Sequence, residues 1–190
     1  MIQNKRRAKS DFRFRDTRLC FTLPATLGDR GSDRPYERLK EPGDLGRWCV
    51  EIGLFDRPPI VDELRLSKAV ALREAIQRTG EAIARGQVPE TNDVMQINVA
   101  AAVDVVPQLS EDATSIRWVA GSVEGALSYI ARDAIDLYSG NLRPRIRICE
   151  NTSCAGLFVD ESRPGKRRWC SMTTCGDQAK KARLRLRKAI

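Results

Sequence analysis

Apolar residues along this chain recur with two spacings, and the longest helical repeat lies between about 60 and 85. There Leu66, Ala69, Val70, Leu72, Arg73, Ile76, Thr79, Ala82 and Ile83 follow a 3.6-residue period, so a helix is predicted, ended by Gly86 and Pro89. A second helix is predicted over about 91–103 through Met95, Ile97, Val99 and Ala102, with Pro107 beyond it. Ser122 is placed to cap a third, running to about Tyr138 with Val123, Leu127, Ile130, Ala134 and Leu137 on one face. A shorter amphipathic helix is expected at 45–52. Asp44 stands there as the candidate N-cap, Leu45, Trp48, Cys49 and Ile52 at helical spacing, and Gly53 near the stop. Two short strands fit 105–109 and 115–120, where Ile116, Trp118 and Val119 are good strand formers. Pro24 disfavours an uninterrupted helix in LCFTLPATLG (19–28), the turn-rich stretch 29–44 reads as a loop, and residues 1–18 read as irregular.

SGNLRPR (139–145) marks a boundary, so the chain divides into a helical domain over 1–142 and a small tail module over 143–190. At 190 residues, 42% of them hydrophobic, there is material for one core of about 100–150 residues and one appended module. No apolar run is long enough to cross a bilayer, and the basic N-terminus lacks the apolar stretch of a secretory signal. A cytoplasmic protein without membrane contact is expected.

Charge is unevenly spread. The chain carries +8 overall, yet from Arg143 onward there are 13 Lys/Arg against 4 Asp/Glu, and residues 1–18 hold 7 against 2. The middle is mildly acidic. Basic ends on an acidic body suit a polyanion, and double-stranded DNA is the first candidate. The sequence contains no histidine, which removes Ser-His-Asp and Cys-His nucleophilic mechanisms and any His-ligated metal. Glu51, Asp62, Glu63 and Glu74 supply carboxylates, but none forms a recognisable catalytic pair, and no glycine-rich phosphate loop is present. No enzymatic activity is expected.

The tail spaces four cysteines, Cys149, Cys154, Cys170 and Cys175, as C-x4-C-x15-C-x4-C. Two close pairs separated by a hairpin-length segment match the needs of a tetrahedral four-thiolate zinc site. Between the pairs, LFVD and RRW read as strands joined by ESRPGK, and AKKARLRLRKA after Cys175 reads as a helix. A first pair in a turn, a hairpin, and a helix opening near the last cysteine make a treble-clef-like arrangement. Two disulfides would need an oxidising compartment, and a redox dithiol ordinarily uses C-x-x-C, which is absent. An iron–sulfur cluster could use four cysteines, but the spacings and the hairpin favour zinc. Four thiolates fill a tetrahedral shell, so the expected role is structural. Cys20 and Cys49 sit on apolar faces and are expected to be buried free thiols.

With these residues in order, the tail resembles the CGNR zinc-finger family. Cys149, Cys154, Leu157, Phe158, Asp160, Arg167, Arg168, Trp169, Cys170, Ser171, Met172, Cys175 and Gly176 match its pattern in sequence. Upstream, LCFTLPATLGDR and LGRWCVEIGL resemble the opening of the ABATE domain, which usually precedes this finger. The resemblance implies a stress-induced transcription regulator. Two departures stand out. The CGNR tetrad reads CGDQ, with Asp177 and Gln178, which removes an arginine that could bind phosphate or lock the finger. The family's LCLDFVNT segment reads LCFTLPAT, so Thr22 and Ala25 stand where Asp and Asn are common.

The expected protein is therefore mainly α (α+β), with a helical N-terminal domain, a short β element and a zinc module. It is expected to bind DNA through Arg167, Arg168, Lys180, Lys181, Arg183, Arg185 and Arg187, with Arg143, Arg145 and Arg147 widening the footprint. A small-molecule effector of the N-terminal domain is a further expectation. The alternative is a protein- or RNA-interaction module with a purely structural zinc. No heptad pattern supplies a dimer seam.

Overall fold

A computed structural model describes residues 12, 14, 18–109, 111–114, 116–119 and 121–188; the side chains at 116–119, 183 and 186–188 lie outside the described set. Most of the segment 1–18, with its basic arm, also lies outside it.

The first described elements are two 3-10 turns, Leu19–Thr22 and Pro24–Thr26, broken where Pro24 opens the second. They bury Cys20, Phe21 and Leu23. The stretch read as a loop carries a two-residue antiparallel ladder, β1 (Leu27–Gly28) with β2 (Tyr36–Glu37). Helix α1 (Pro42–Glu51) starts earlier than expected. Its N-cap is Glu41; Asp44 sits at the third helical position and completes a capping box. Asp44 accepts from the Lys40 and Glu41 amides at 2.8 and 3.0 Å, and Pro42 fits the first turn, where no donor is needed.

Helix α2 (Glu63–Ala84) is capped by Asp62, which accepts from the Arg65 amide, and it ends before Gly86 at φ +69°. Leu66, Ala69, Leu72 and Ile76 bury its apolar stripe. Helix α3 (Thr91–Ala101) forms where the sequence places it. Ile97 is buried, whereas Met95 and Val99 are 56% and 68% exposed. Positions 95 and 99 lie one turn apart, with 97 on the opposite side, so one face cannot bury all three. The helix is instead seated by Ile97 and by the buried Asp93, which takes a bidentate ion pair from Arg78 at 2.6 and 2.8 Å.

The expected strands form an antiparallel hairpin, β3 (Val106–Leu109) with β4 (Ile116–Val119), and all four β3 residues are exposed. Ser122 caps α4 (Val123–Ser139) by accepting from the Gly125 amide at 3.1 Å. Val123, Leu127, Ile130, Ala134 and Leu137 on α4 join the core. Fully buried Trp48 donates its indole N–H to the Thr22 carbonyl, and Tyr138 donates to the Ile76 carbonyl at 2.6 Å. Burial pushes the Tyr138 phenol well above its ordinary range.

Beyond α4 the chain forms β5 (Ile146–Ile148) and β6 (Leu157–Val159), an antiparallel pair with Ile146 opposite Val159. This corrects the expected hairpin. The partner of LFV is IRI, on the far side of the first cysteine pair, while RRW forms no strand. Alternation along β6 explains its use. Leu157 and Val159 join the main core with Ile146, while Phe158, between them, joins a second small core with Cys149, Cys170 and Cys175. A five-residue π turn (Met172–Gly176) then launches α5 (Asp177–Lys188).

Candidate metal centre

The loop between β5 and β6 carries the first cysteine pair. Asn151 shapes it: its carbonyl accepts from the Cys154 and Ala155 amides at 2.8 and 3.2 Å, and its side-chain oxygen from the Ser153 amide at 3.2 Å. Ala155 turns the chain with φ at +47°, and the Cys149 amide closes the loop on the Gly156 carbonyl at 2.8 Å. The Gly31 loop presses on this knuckle from outside, its amide donating to the Ser153 carbonyl at 3.2 Å. A Cβ on Gly31 would fall 1.8 Å from the Thr152 carbonyl oxygen, so only glycine fits.

The second pair is carried by the π turn, where Ser171 caps by accepting from the Thr174 amide. All four sulfurs lie within 4.8 Å of one another. Cys154 and Cys170 sulfurs are 3.7 Å apart, those of Cys170 and Cys175 3.6 Å. A tetrahedron with Zn–S bonds of about 2.3 Å has edges of roughly 3.8 Å, so the spacing fits zinc. Those separations are well beyond the roughly 2.05 Å of a disulfide bond, so Cys170 is bridged neither to Cys154 nor to Cys175. Cys149, Cys154 and Cys170 shift against one another. Hydrogen bonds from Cys154 and Cys170 draw Cys149 down to about 2, and by the same bonds Cys154 is pushed up to about 12 and Cys170 further. A divalent cation resolves that conflict by stabilising all four as thiolates.

Asp160, fully buried at the end of β6, holds the segment leading to the second pair. It accepts from the Ser162 amide at 3.0 Å and hydroxyl at 2.5 Å, and from the Arg167 amide at 2.8 Å. Burial alone would raise its carboxyl, but these bonds hold it below the usual carboxylate range. The Arg167 side chain turns back onto its own loop. It donates to the Trp169 carbonyl at 2.8 Å and to that of Cys170, and its guanidinium covers Phe158 at 4.9 Å. Arg168 pairs with Glu150 at 2.5 Å and lies over Trp169. Gln178, in place of the family's arginine, accepts from the Asn151 amide side chain at 2.8 Å, a neutral link between the start of α5 and the first knuckle.

Of the residues expected to meet DNA, Lys180, Lys181 and Arg185 stand exposed on α5. Arg183 and Arg187 belong to the same helix, their side chains outside the described set. Arg143, Arg145 and Arg147 are engaged with backbone carbonyls, of Tyr138, of Asp160 and Ser162, and of Pro144 and Ile146 respectively. Arg143 ties the module to the end of α4, whereas Arg145 and Arg147 brace the module internally. Sequence spacing could not reveal this, because it identifies an arginine without showing which carbonyls lie within reach.

Where the module meets the N-terminal turns there is a cleft of about 70 Å³, lined by Thr22, Ala25, Arg30, Gln77, Cys154 and Leu157 among others. Beside it runs a partly buried ion network. Arg30 meets Glu74 at 2.7 Å, Arg73 meets Glu74 at 2.8 Å, and Arg73 meets Glu37 at 2.7 Å. Thr22 and Ala25, singled out in the sequence, both line this cleft. Among the described residues, no helix is long and apolar enough to cross a membrane.

Comparison with known families agrees with the residues. The ABATE family model, described as "Putative stress-induced transcription regulator", matches residues 17–141, and the CGNR zinc-finger model matches residues 145–188. No curated protein matches the chain. With the four sulfurs set at tetrahedral spacing, the module carries one structural zinc ion. The chain belongs to the ABATE family and carries a C-terminal CGNR zinc finger.

Proposed function

We propose that this protein is a transcription regulator that binds duplex DNA through α5. The observation that carries the reading is the launch of α5 directly from the second cysteine pair with Lys180, Lys181 and Arg185 along it. Zinc holds the start of the helix, so its basic face is presented at a fixed angle to phosphates. The surrounding tail adds a net positive field. The same reading assigns no catalysis to the chain: a four-thiolate zinc has no open position for substrate. The cleft beside the zinc centre supports a sensing role for the N-terminal domain, because a solute there would touch both modules.

Fluorescence anisotropy of the zinc-loaded chain on a random duplex, titrated with salt, tests the proposal. Steeply salt-dependent binding is expected. Changing Lys180, Lys181 and Arg185 together to Gln should flatten the log–log slope by about 0.9 for each phosphate no longer neutralised. Absence of binding at low salt would overturn the DNA reading in favour of an acidic protein partner.

A further inference from the structure

As whole residues the four zinc-binding cysteines are not equally covered. Cys149, Cys170 and Cys175 are 4%, 3% and 1% exposed, while Cys154 is only partly buried. Cys154 borders the cleft between the zinc module and the N-terminal turns. Gly156 borders it too, and a Cβ there would stand 3.3 Å from the Cys154 sulfur, so the absence of a side chain leaves that sulfur approachable. Cys170 also borders the cleft but is nearly sealed, with Arg167 held across its carbonyl.

A second feature borders the same cleft. Gln77 is 2% exposed, and its amide nitrogen is committed to Glu81 at 2.7 Å and to the Ala155 carbonyl at 3.3 Å. Both of those partners are acceptors, which fixes the amide's orientation. Its oxygen is then a buried acceptor without a hydrogen bond. Buried acceptors of this kind are costly to leave unmet, and a solute that brings an N–H or O–H recovers that cost.

We propose that Cys154 is a modification site for small, neutral carbon electrophiles bearing a hydrogen-bond donor. Size follows from a cleft of about 70 Å³. Neutrality follows from the centre, where four thiolates around one divalent cation leave a net charge of about −2 that repels anions. In the step, the Cys154 thiolate sulfur forms a bond to the electrophilic carbon while the bond to the leaving group breaks. The leaving group departs with the bonding pair, and the sulfur becomes a thioether; no oxidant or proton donor is required. A thioether is a far poorer zinc ligand than a thiolate, so the adduct loosens the module that sets α5. The inference rests on reading the cleft as the sensing site, and the two can fail separately.

The probe is iodoacetamide on the zinc-loaded full chain, with time-resolved peptide mass mapping and zinc release followed by a chromogenic chelator. Cys154 should be carbamidomethylated first, at least about tenfold faster than Cys149, Cys170 or Cys175, with zinc released in step. Anionic iodoacetate should react more slowly at the same residue. Gly156→Ala should slow labelling of Cys154 while zinc content is retained. First labelling at another cluster cysteine would overturn the proposal. So would labelling of all six cysteines together, buried Cys20 and Cys49 included, since that reports unfolding. DNA affinity measured on the labelled chain separates the two readings: a fall supports sensing, and unchanged affinity with the Cys154 adduct present removes the sensing role alone.

Discussion

Arg167 and Arg168 are neighbours in sequence with opposite duties. Arg167 is folded inward, its guanidinium bonded to two carbonyls of the ligand loop and lying over Phe158. Arg168 is exposed and meets Glu150 across the knuckle. Arg167→Ala should therefore cost about 1–3 kcal/mol, because it strands partly buried acceptors beside a metal ligand. Arg168→Ala should cost less, since an exposed ion pair is solvent-screened. Urea midpoints of the two zinc-loaded variants compare them directly, and equal losses would contradict the assignment. Cys49 shows another consequence of burial at this scale. Its thiol is pushed up to about 12 by desolvation, which keeps it inert as a core residue.

At the scale of elements, the first knuckle is shaped both from within and by groups far from it in sequence. Asn151 forms its turn, the Gly31 loop closes against Thr152 and Ser153, and Gln178 ties α5 to it through Asn151. Gly31→Ala cannot be accommodated without moving that backbone. Zinc transfer from the variant to a competing chelator should show affinity weakened by about 10- to 100-fold, as when other supports around metal ligands are removed. Far-ultraviolet circular dichroism should retain the signal of α2 and α4, whose backbone hydrogen bonds are internal to each helix. Wild-type affinity in the variant would mean the loop merely rests on the knuckle. Helix α3 makes a related point. Its exposed Met95 and Val99 follow from a fold that seats the helix by Ile97 and the Arg78–Asp93 pair.

Across the whole molecule, the finger and the helical domain share one hydrophobic core, because Ile146, Leu157 and Val159 pack with residues of α2 and α4. Removing zinc should therefore lower the melting temperature of the full chain in a single calorimetric transition. Two resolved transitions, with the helical one unmoved by chelator, would show independent modules. Stability should also depend on acid pH. Burial tends to raise Glu37 and Glu74, but bonds from Arg73 and Leu39 to the first, and from Arg30 to the second, hold both below their ordinary value. A carboxylate depressed in the folded state contributes stability above its unfolded value near 4.5, and that contribution is lost as pH falls through the folded value. Urea midpoints between pH 7 and pH 3 should fall less steeply for Glu74→Gln than for the parent chain.

Local physics made much of this architecture legible in the chain itself. The 3.6-residue stripe of α2, the Ser122 cap of α4, the two strands at 106–109 and 116–119 and the four-cysteine spacing are each decided within a few turns of backbone. What needed the tertiary structure was every pairing between distant residues. The strand partner of LFV was IRI and not RRW, because the first cysteine loop folds β5 back onto β6. Asp44 ceded the cap to Glu41, whose role depends on where the preceding loop enters. Arg145 met the carbonyls of Asp160 and Ser162 only once β6 and the loop after it had folded back beside it, while Arg143, Arg147 and Arg167 turned onto carbonyls close to them in the chain. Periodicity and ligand spacing are short-range properties, whereas the side of a strand, the partner of a charge and the exposure of Cys154 depend on how separate elements pack.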